Sequence, residues 1–218
     1  MSKIIVLMGA PGAGKGTQAR LLRERRGLPQ ISTGDIFRAM KDAQTPLGEE
    51  VRAVMSAGGL VPDGITIRVV EERTSADDCK AGYILDGFPR TTVQATMLET
   101  LAADQGHRIH AVFVDVPFEI LERRMTGRRN CPVCGEIYNV YFKPPRREGV
   151  CDLHPEVALN HRADDNAATV KTRLATYERD TQPLLDYYAA SQRLDRVNGT
   201  REPEAVYADV EKTVTSDK

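Results

Sequence analysis

Residues 9–17 read GAPGAGKGT and follow directly on the apolar, β-branched run KIIVLM at Lys3–Met8. Glycines at this density let successive backbone N–H groups turn inward around a phosphate. A helix expected over residues 17–26 points its positive N-terminal end at the same anion. Gly9, Gly14 and Lys15 match the spacing GxxxxGK, in which the lysine reaches the β and γ phosphates of a nucleotide. Strand, loop and helix in this order are the context that separates such a match from a chance glycine turn. The residue after the lysine is Gly16, with Thr17 next. The general motif has a Ser or Thr ligand for Mg²⁺ at that place, so the usual hydroxyl contact to the metal is weakened.

Outward from this loop, residues 83–86 (YILD), 111–116 (AVFVDV) and Leu194–Asn198 (LDRVN) resemble buried strands, with helical periodicity between them at residues 69–74 and 93–103. Strands alternating with helices predict an α/β fold, a parallel sheet flanked by helices on both faces. Two stretches interrupt the alternation. Residues 32–61 open on STGD, a helix-capping signal, and close at Gly58-Gly59, which predicts a helical insertion. Residues 128–165 hold three of the cysteines, a Pro144-Pro145 pair and alternating pieces over residues 136–142, which predict a lid of β-hairpins. Residues 1–31, 62–127 and 166–218 then form the core.

The chain has 218 residues, 41% of them apolar, and a formal net charge of −1. No run is long enough to span a bilayer and the N-terminus lacks the parts of a secretory signal, so a cytoplasmic protein without membrane partners is expected. The near-neutral charge excludes a broadly basic nucleic-acid surface; polyanions must be met by a local cluster of cations. Arginine outnumbers lysine 22 to 8, which suits forked binding of phosphate oxygens.

Cys131 and Cys134 form a CPVC knuckle, and Cys151 with His154 repeats the two-residue gap. This is the spacing of a tetrahedral Zn²⁺ site, structural because four protein ligands leave no open position. Asp152 and His161 compete with His154 for the fourth place. Cys79, apart from the cluster, reads as an ordinary thiol, and His107 and His110 read as surface residues.

GAPGAGKGTQA, STGD, LDGFPRT at residues 85–91, Gly127-Arg128-Arg129, Arg162-Ala163-Asp164-Asp165, Arg173 and Val197-Asn198-Gly199-Thr200 stand in one order along most of the chain. Together they resemble the adenylate kinase family. The resemblance implies a five-stranded sheet, a nucleoside-monophosphate-binding insertion and, in one group of the family, a zinc-bearing lid. It implies reversible transfer of the terminal phosphoryl group of Mg²⁺-bound ATP to AMP, giving two ADP, by a monomer that maintains adenine nucleotide levels.

By the same likeness Lys15, Arg90, Arg124, Arg128, Arg162 and Arg173 act on the transferring group. ATP is held by Gly12, Ala13, Gly14, Lys15, Gly16, Thr17, Arg128, Ile137, Tyr138 and Arg201. AMP is held by Thr33, Arg38, Gly59, Leu60, Val61, Gly87, Phe88, Pro89 and Arg90, with Gln94 as the adenine-reading amide and Arg162 and Arg173 shared. Asp86, at a strand end, serves Mg²⁺ directly or through water; a plain turn aspartate is the alternative. Phosphoryl transfer needs positioning and charge neutralisation and no general base, since a phosphate oxygen of AMP is already ionised. A kinase for UMP or CMP is the alternative within this class, and a zinc-containing, nucleotide-switched binding module the alternative outside it.

Overall fold

The structure, a computed structural model, describes residues 2–41 and 45–216; residues 42–44 of the expected insertion lie outside the described residues. A five-stranded parallel sheet runs in the order β2-β3-β1-β4-β7, where β1 is Lys3–Met8, β2 Gln30–Ser32, β3 Gly82–Asp86, β4 Arg108–Asp115 and β7 Leu194–Asn198. β1 is central, with Ile5 opposite Ile84 on one side and His110 on the other.

Alternate residues of a strand point to opposite faces, and both faces of this sheet are covered, so the central strands read as continuous apolar runs. Ile4, Val6 and Met8 pack with Leu85 and Phe113 against α4 (Asp63–Thr74), α5 (Thr92–Gln105) and α8 (Leu184–Ala190). Ile5 and Leu7 pack with Ile84 and Val112 against α1 (Lys15–Arg26), α6 (Phe118–Thr126) and α9 (Pro203–Thr215). Each large aliphatic side chain buried here contributes roughly 1.5–3 kcal/mol.

β2 is the strand that apolar runs alone do not reveal. It is QIS, three residues with one apolar side chain, and it joins the sheet by pairing Ile31 with Leu85. Ser32, the first residue of the expected insertion, is therefore its last sheet residue, and the helical part begins at Thr33. The Ser32 hydroxyl accepts from the Asp35 amide at 3.3 Å, as STGD predicts. α2 (Thr33–Lys41) and α3 (Pro46–Ser56) close a small core of their own around Phe37, Val51 and Val61.

Within residues 128–165, β5 (Arg128–Asn130) pairs antiparallel with β6 (Ile137–Asn139), and single bridges join Asn130 to Asn160 and Val150 to Ala158. The apolar centre there is Cys131, Tyr138 and Cys151. After this stretch come α7 (Ala167–Thr176) and a π-helical turn at Tyr177–Thr181 leading to α8.

The surface reading of the two histidines does not hold. His110 is buried in β4 with Nε2 3.0 Å from Asp195 of β7. His107 is half-buried, its ring edge-on to Tyr83. Both are polar residues accommodated inside by non-local partners.

Candidate functional site

The carboxyl ends of β1 and β3 open into a cleft of ≈ 860 Å³ that reaches both insertions. Such crevices at strand carboxyl ends are where open α/β sheets take ligands. The glycine loop forms its floor. Gly12 has φ +87°, and a Cβ there would lie 2.9 Å from Met125 and 3.1 Å from the Leu121 carbonyl, so α6 can pack on the loop only if this residue is glycine.

α1 begins without a side-chain cap and without an acidic residue in its first turn. By contrast α3, α5 and α7 are capped by Thr45, Thr91 and Asn166, and α4, α6, α8 and α9, which also lack a side-chain cap, each carry an acidic residue in the first turn. Orphan N–H groups left open beside a glycine loop suit a bound anion. Lys15 folds back meanwhile, donating to the carbonyls of Gly9 at 2.8 Å and Ala10 at 3.1 Å. Burial lowers its pKa to about 8, with Arg90, Arg173 and Arg128 adding to the shift against the opposing pull of Asp86.

Lys15, Arg38, Arg90, Arg124, Arg128, Arg162 and Arg173 all line this one cleft. They arrive from α1, α2, the turn after β3, α6, the two ends of residues 128–165 and α7. Burial, then the neighbouring Arg173, lowers the pKa of Arg90 to about 10; burial, then Arg128 and Arg38, does the same for Arg162. Burial also lowers Arg124 and Arg173. Cations that crowd and desolvate one another mark a place where an anion is favoured.

Three aspartates hold four of these arginines in position, and motif reading gave them no role. Arg128 is bidentate to Asp165, and Arg173 donates to Asp165 at 2.9 Å and to the Asp164 carbonyl at 3.0 Å. Arg38 donates to Asp35 at 2.5 Å, while Arg162 lies 3.6 Å from the same oxygen. Burial alone would raise the Asp35 carboxyl, but Arg38 holds it below its ordinary value. The alternation Arg162-Ala163-Asp164-Asp165 was the available signal.

On the far side of the cleft, Arg90 emerges from the turn after β3 with its Nε donating to Gly87 O at 2.8 Å. Gly87 has φ +85°, and a Cβ there would press to 2.8 Å from Arg90 Nη2 and 3.0 Å from Thr33 Oγ1. Thr33 donates to Gly87 O, and the Val61 carbonyl accepts from Thr66. Gly59, Leu60, Val61, Pro89 and Gln94 line the same region. Phe88 does not line the cleft; its side chain is 1% exposed and belongs to the core. Asp86 lines the cleft beside Gly16, with Gln30 Nε2 3.5 Å away. Ile137, Tyr138 and Arg201 also border the cleft, but the Arg201 guanidinium is paired with Asp209.

The Tyr138 hydroxyl serves the cysteine cluster, 3.6 Å from Cys151 Sγ while accepting from the Asp152 amide at 2.9 Å. Ligand atoms of Cys131, Cys134, Cys151 and His154 lie within 4.8 Å of one another. Cys134 Sγ to Cys151 Sγ is 3.7 Å, and His154 Nδ1 is 3.8 Å from Cys151 and 4.0 Å from Cys131. A tetrahedral centre with Zn–S of about 2.3 Å and Zn–N of about 2.0 Å separates its ligand atoms by roughly 3.5–3.8 Å, so the donor set is compatible with zinc. Burial raises the Cys134 thiol to about 11, while at Cys151 hydrogen bonds from His154 and Tyr138 outweigh burial and bring the thiol down to about 6. Asp152 is otherwise engaged, accepting from the Arg146 amide at 2.8 Å.

A parallel sheet with an uncapped helix behind a glycine loop, opening on a cleft that gathers all seven motif-matched cations, defines a P-loop phosphotransferase. The family model for adenylate kinase matches residues 7–193. The adenylate kinase of Oceanobacillus iheyensis is 49% identical over 208 residues, 95% of this chain and 96% of the relative. That of Clostridium perfringens strain SM101 is 47% identical over 98% of this chain and 99% of the relative, and that of Bacillus subtilis strain 168 is 48% identical over 94% and 95%. The chain belongs to the adenylate kinase family. Among its described residues no helix is long and apolar enough to cross a membrane.

Proposed function

We propose that this chain transfers the terminal phosphoryl group of Mg²⁺-bound ATP reversibly to AMP, giving two ADP, and so balances adenine nucleotides. The observation that carries this reading is one cleft with cations along its whole length, running from the uncapped α1 to Gly59, Leu60, Val61 and Gln94. ATP phosphates lie on the loop from Gly12 to Thr17 with Lys15, and Arg38 and Arg90 take the phosphate of AMP. Arg124, Arg128, Arg162 and Arg173 neutralise the equatorial oxygens between the two. Asp86 holds Mg²⁺ directly or through water, and the metal neutralises phosphate charge when bound.

Zinc in the cluster of Cys131, Cys134, Cys151 and His154 is structural, its support being the donor set and the closeness of its atoms to a tetrahedron edge. Residues 128–165 close over ATP and residues 32–61 over AMP, both carried by a core of residues 1–31, 62–127 and 166–218. Closure excludes water that would otherwise accept the phosphoryl group. The arginines lie at the edges of both insertions, as such closure requires. The enzyme acts as a cytoplasmic monomer, without nucleic acid or membrane, as the family likeness suggests.

The test is ADP production from ATP with AMP, GMP, UMP or CMP as acceptor, with zinc content measured on the same sample. Strong preference for AMP is expected; similar turnover with UMP would sink the acceptor assignment.

A further inference from the structure

Gln94 is 1% exposed, at the start of α5, and both ends of its carboxamide are already bonded within the protein. Oε1 accepts from the Arg90 backbone N–H at 2.8 Å, and Nε2 donates to Asp63 Oδ1 at 2.7 Å. A backbone N–H can only donate and an ionised carboxylate can only accept, so the two ends of the amide cannot be exchanged. The Thr91 hydroxyl braces the arrangement, donating to Asp63 Oδ1 at 3.2 Å while accepting from the Gln94 amide at 3.1 Å. Gln94 lines the cleft and Asp63 does not.

We propose that Asp63, at the first turn of α4, is a positioning residue for base selection: it locks the Gln94 carboxamide in the one orientation that fits a 6-aminopurine. The proposal rests on the AMP reading of this half of the cleft. Oε1 retains one lone pair and Nε2 one N–H. Adenine offers an exocyclic N–H donor beside a ring-nitrogen acceptor, the complement of that pair. A 6-oxopurine offers an acceptor at position 6, which meets the carbonyl oxygen lone pair to lone pair. A glutamine free to turn over would accept either base, so discrimination depends on what fixes the amide. Arg90 N–H fixes one end and Asp63 the other.

The experiment compares AMP with IMP, which differs only at position 6 and the adjoining ring nitrogen, in the parent, Asp63→Ala and Asp63→Asn. In Asp63→Ala the KM for AMP is expected to rise about tenfold, the effect of one weakened hydrogen-bonded contact to a buried group. The preference for AMP over IMP falls with it, while kcat and the KM for ATP stay unchanged. Asp63→Asn, which keeps an acceptor oxygen facing Gln94 and Thr91, restores most of the preference. An unchanged AMP-to-IMP ratio in Asp63→Ala overturns the proposal, as does a parallel loss of kcat and ATP binding, which marks a purely structural role. If Asp63→Ala does not fold, the parent decides: Gln94 carboxamide protons with the shifts and exchange rate of a free glutamine overturn the assignment. A parent that uses AMP and IMP equally removes the acceptor reading itself, and the proposal with it.

Discussion

Arg128 and Asp165 meet where β5 leaves α6 and the chain returns to α7, Nε to Oδ2 at 2.8 Å and Nη2 to Oδ1 at 2.7 Å, with the carboxylate fully buried. They are the first and last residues of the proposed lid, so its two ends are tied together. Arg173 of α7 shares Oδ1 at 2.9 Å, which couples the lid base to the next core helix. One aspartate therefore sets the spacing of two of the cations that face the cleft.

Asp165→Ala leaves two guanidiniums beside an empty carboxylate site. Breaking a buried pair from one side costs about 3–5 kcal/mol, so the denaturation midpoint should drop well below that of the parent and ADP production should fall with it. Burial alone would raise the Asp165 pKa, but the bonds from Arg128 and the charges of Arg173 and Arg162 lower it below 3.8. A depressed carboxylate contributes stability that is present above its unfolded pKa and lost as pH falls through the folded value. The parent should therefore lose stability below about pH 4. Circular dichroism melts from pH 7 to pH 2 should show that acid limb flattened in Asp165→Asn.

Lys15 gives a prediction of opposite sign. Its pKa in the free protein is about 8, and an anionic phosphate at the loop favours the protonated form and raises it. Binding then takes up a proton above pH 8, so affinity for an ATP analogue should weaken as pH rises from 8 toward 10. Calorimetry in buffers of different ionisation enthalpy measures the uptake directly. Equal proton uptake at pH 7 and pH 9 would show that Lys15 does not titrate here. Lys15→Met should lower kcat by orders of magnitude and abolish the uptake.

β1, β3 and β4 were legible because a strand buried on both faces is a short apolar run, and GAPGAGKGT placed a phosphate loop and a helix directly behind the first of them; β7, the edge strand LDRVN with only Val197 buried, lacks that signal. β2 was not, because its single isoleucine gives no run and its membership depends on the pairing of Ile31 with Leu85. The cations could be carried over from motifs, but their partners could not. Asp63 and Gln94 are 31 positions apart, Arg128 and Asp165 37, and no local pattern announces such bonds. His110 failed for the same reason, since the residue that makes its burial tolerable lies on another strand.

The cysteine cluster predicts one zinc per chain and a lid that depends on it. Cys151→Ala should lose the metal by elemental analysis. Structural zinc stabilises the fold directly, and loss of even about 3 kcal/mol lowers Tm by about 6–12 °C at the 2–4 °C per kcal/mol expected for a chain of this size. Turnover at low temperature should fall much less than Tm, because no cluster residue is proposed to touch the transferring group. Equal zinc in mutant and parent would refute the ligand assignment.

Glu136 of the lid supplies the last prediction. It accepts from Arg20 of α1 at 2.9 Å and from Lys143 at 2.5 Å, and its side chain is only 14% exposed. Arg20 also bonds Glu24 one turn along α1, so the guanidinium is held ready for the lid. This is an ionic tie from the helix behind the phosphate loop to the module proposed to close over ATP. A partly exposed pair contributes up to about 1 kcal/mol, so Glu136→Gln should raise the KM for ATP about two- to fivefold. The KM for AMP should stay unchanged, because the tie touches only the donor side. Salt screens such pairs, so the parent's KM for ATP should climb between about 50 mM and 500 mM salt more steeply than that of Glu136→Gln. Identical salt slopes in the two proteins would mean that the tie does not hold the lid.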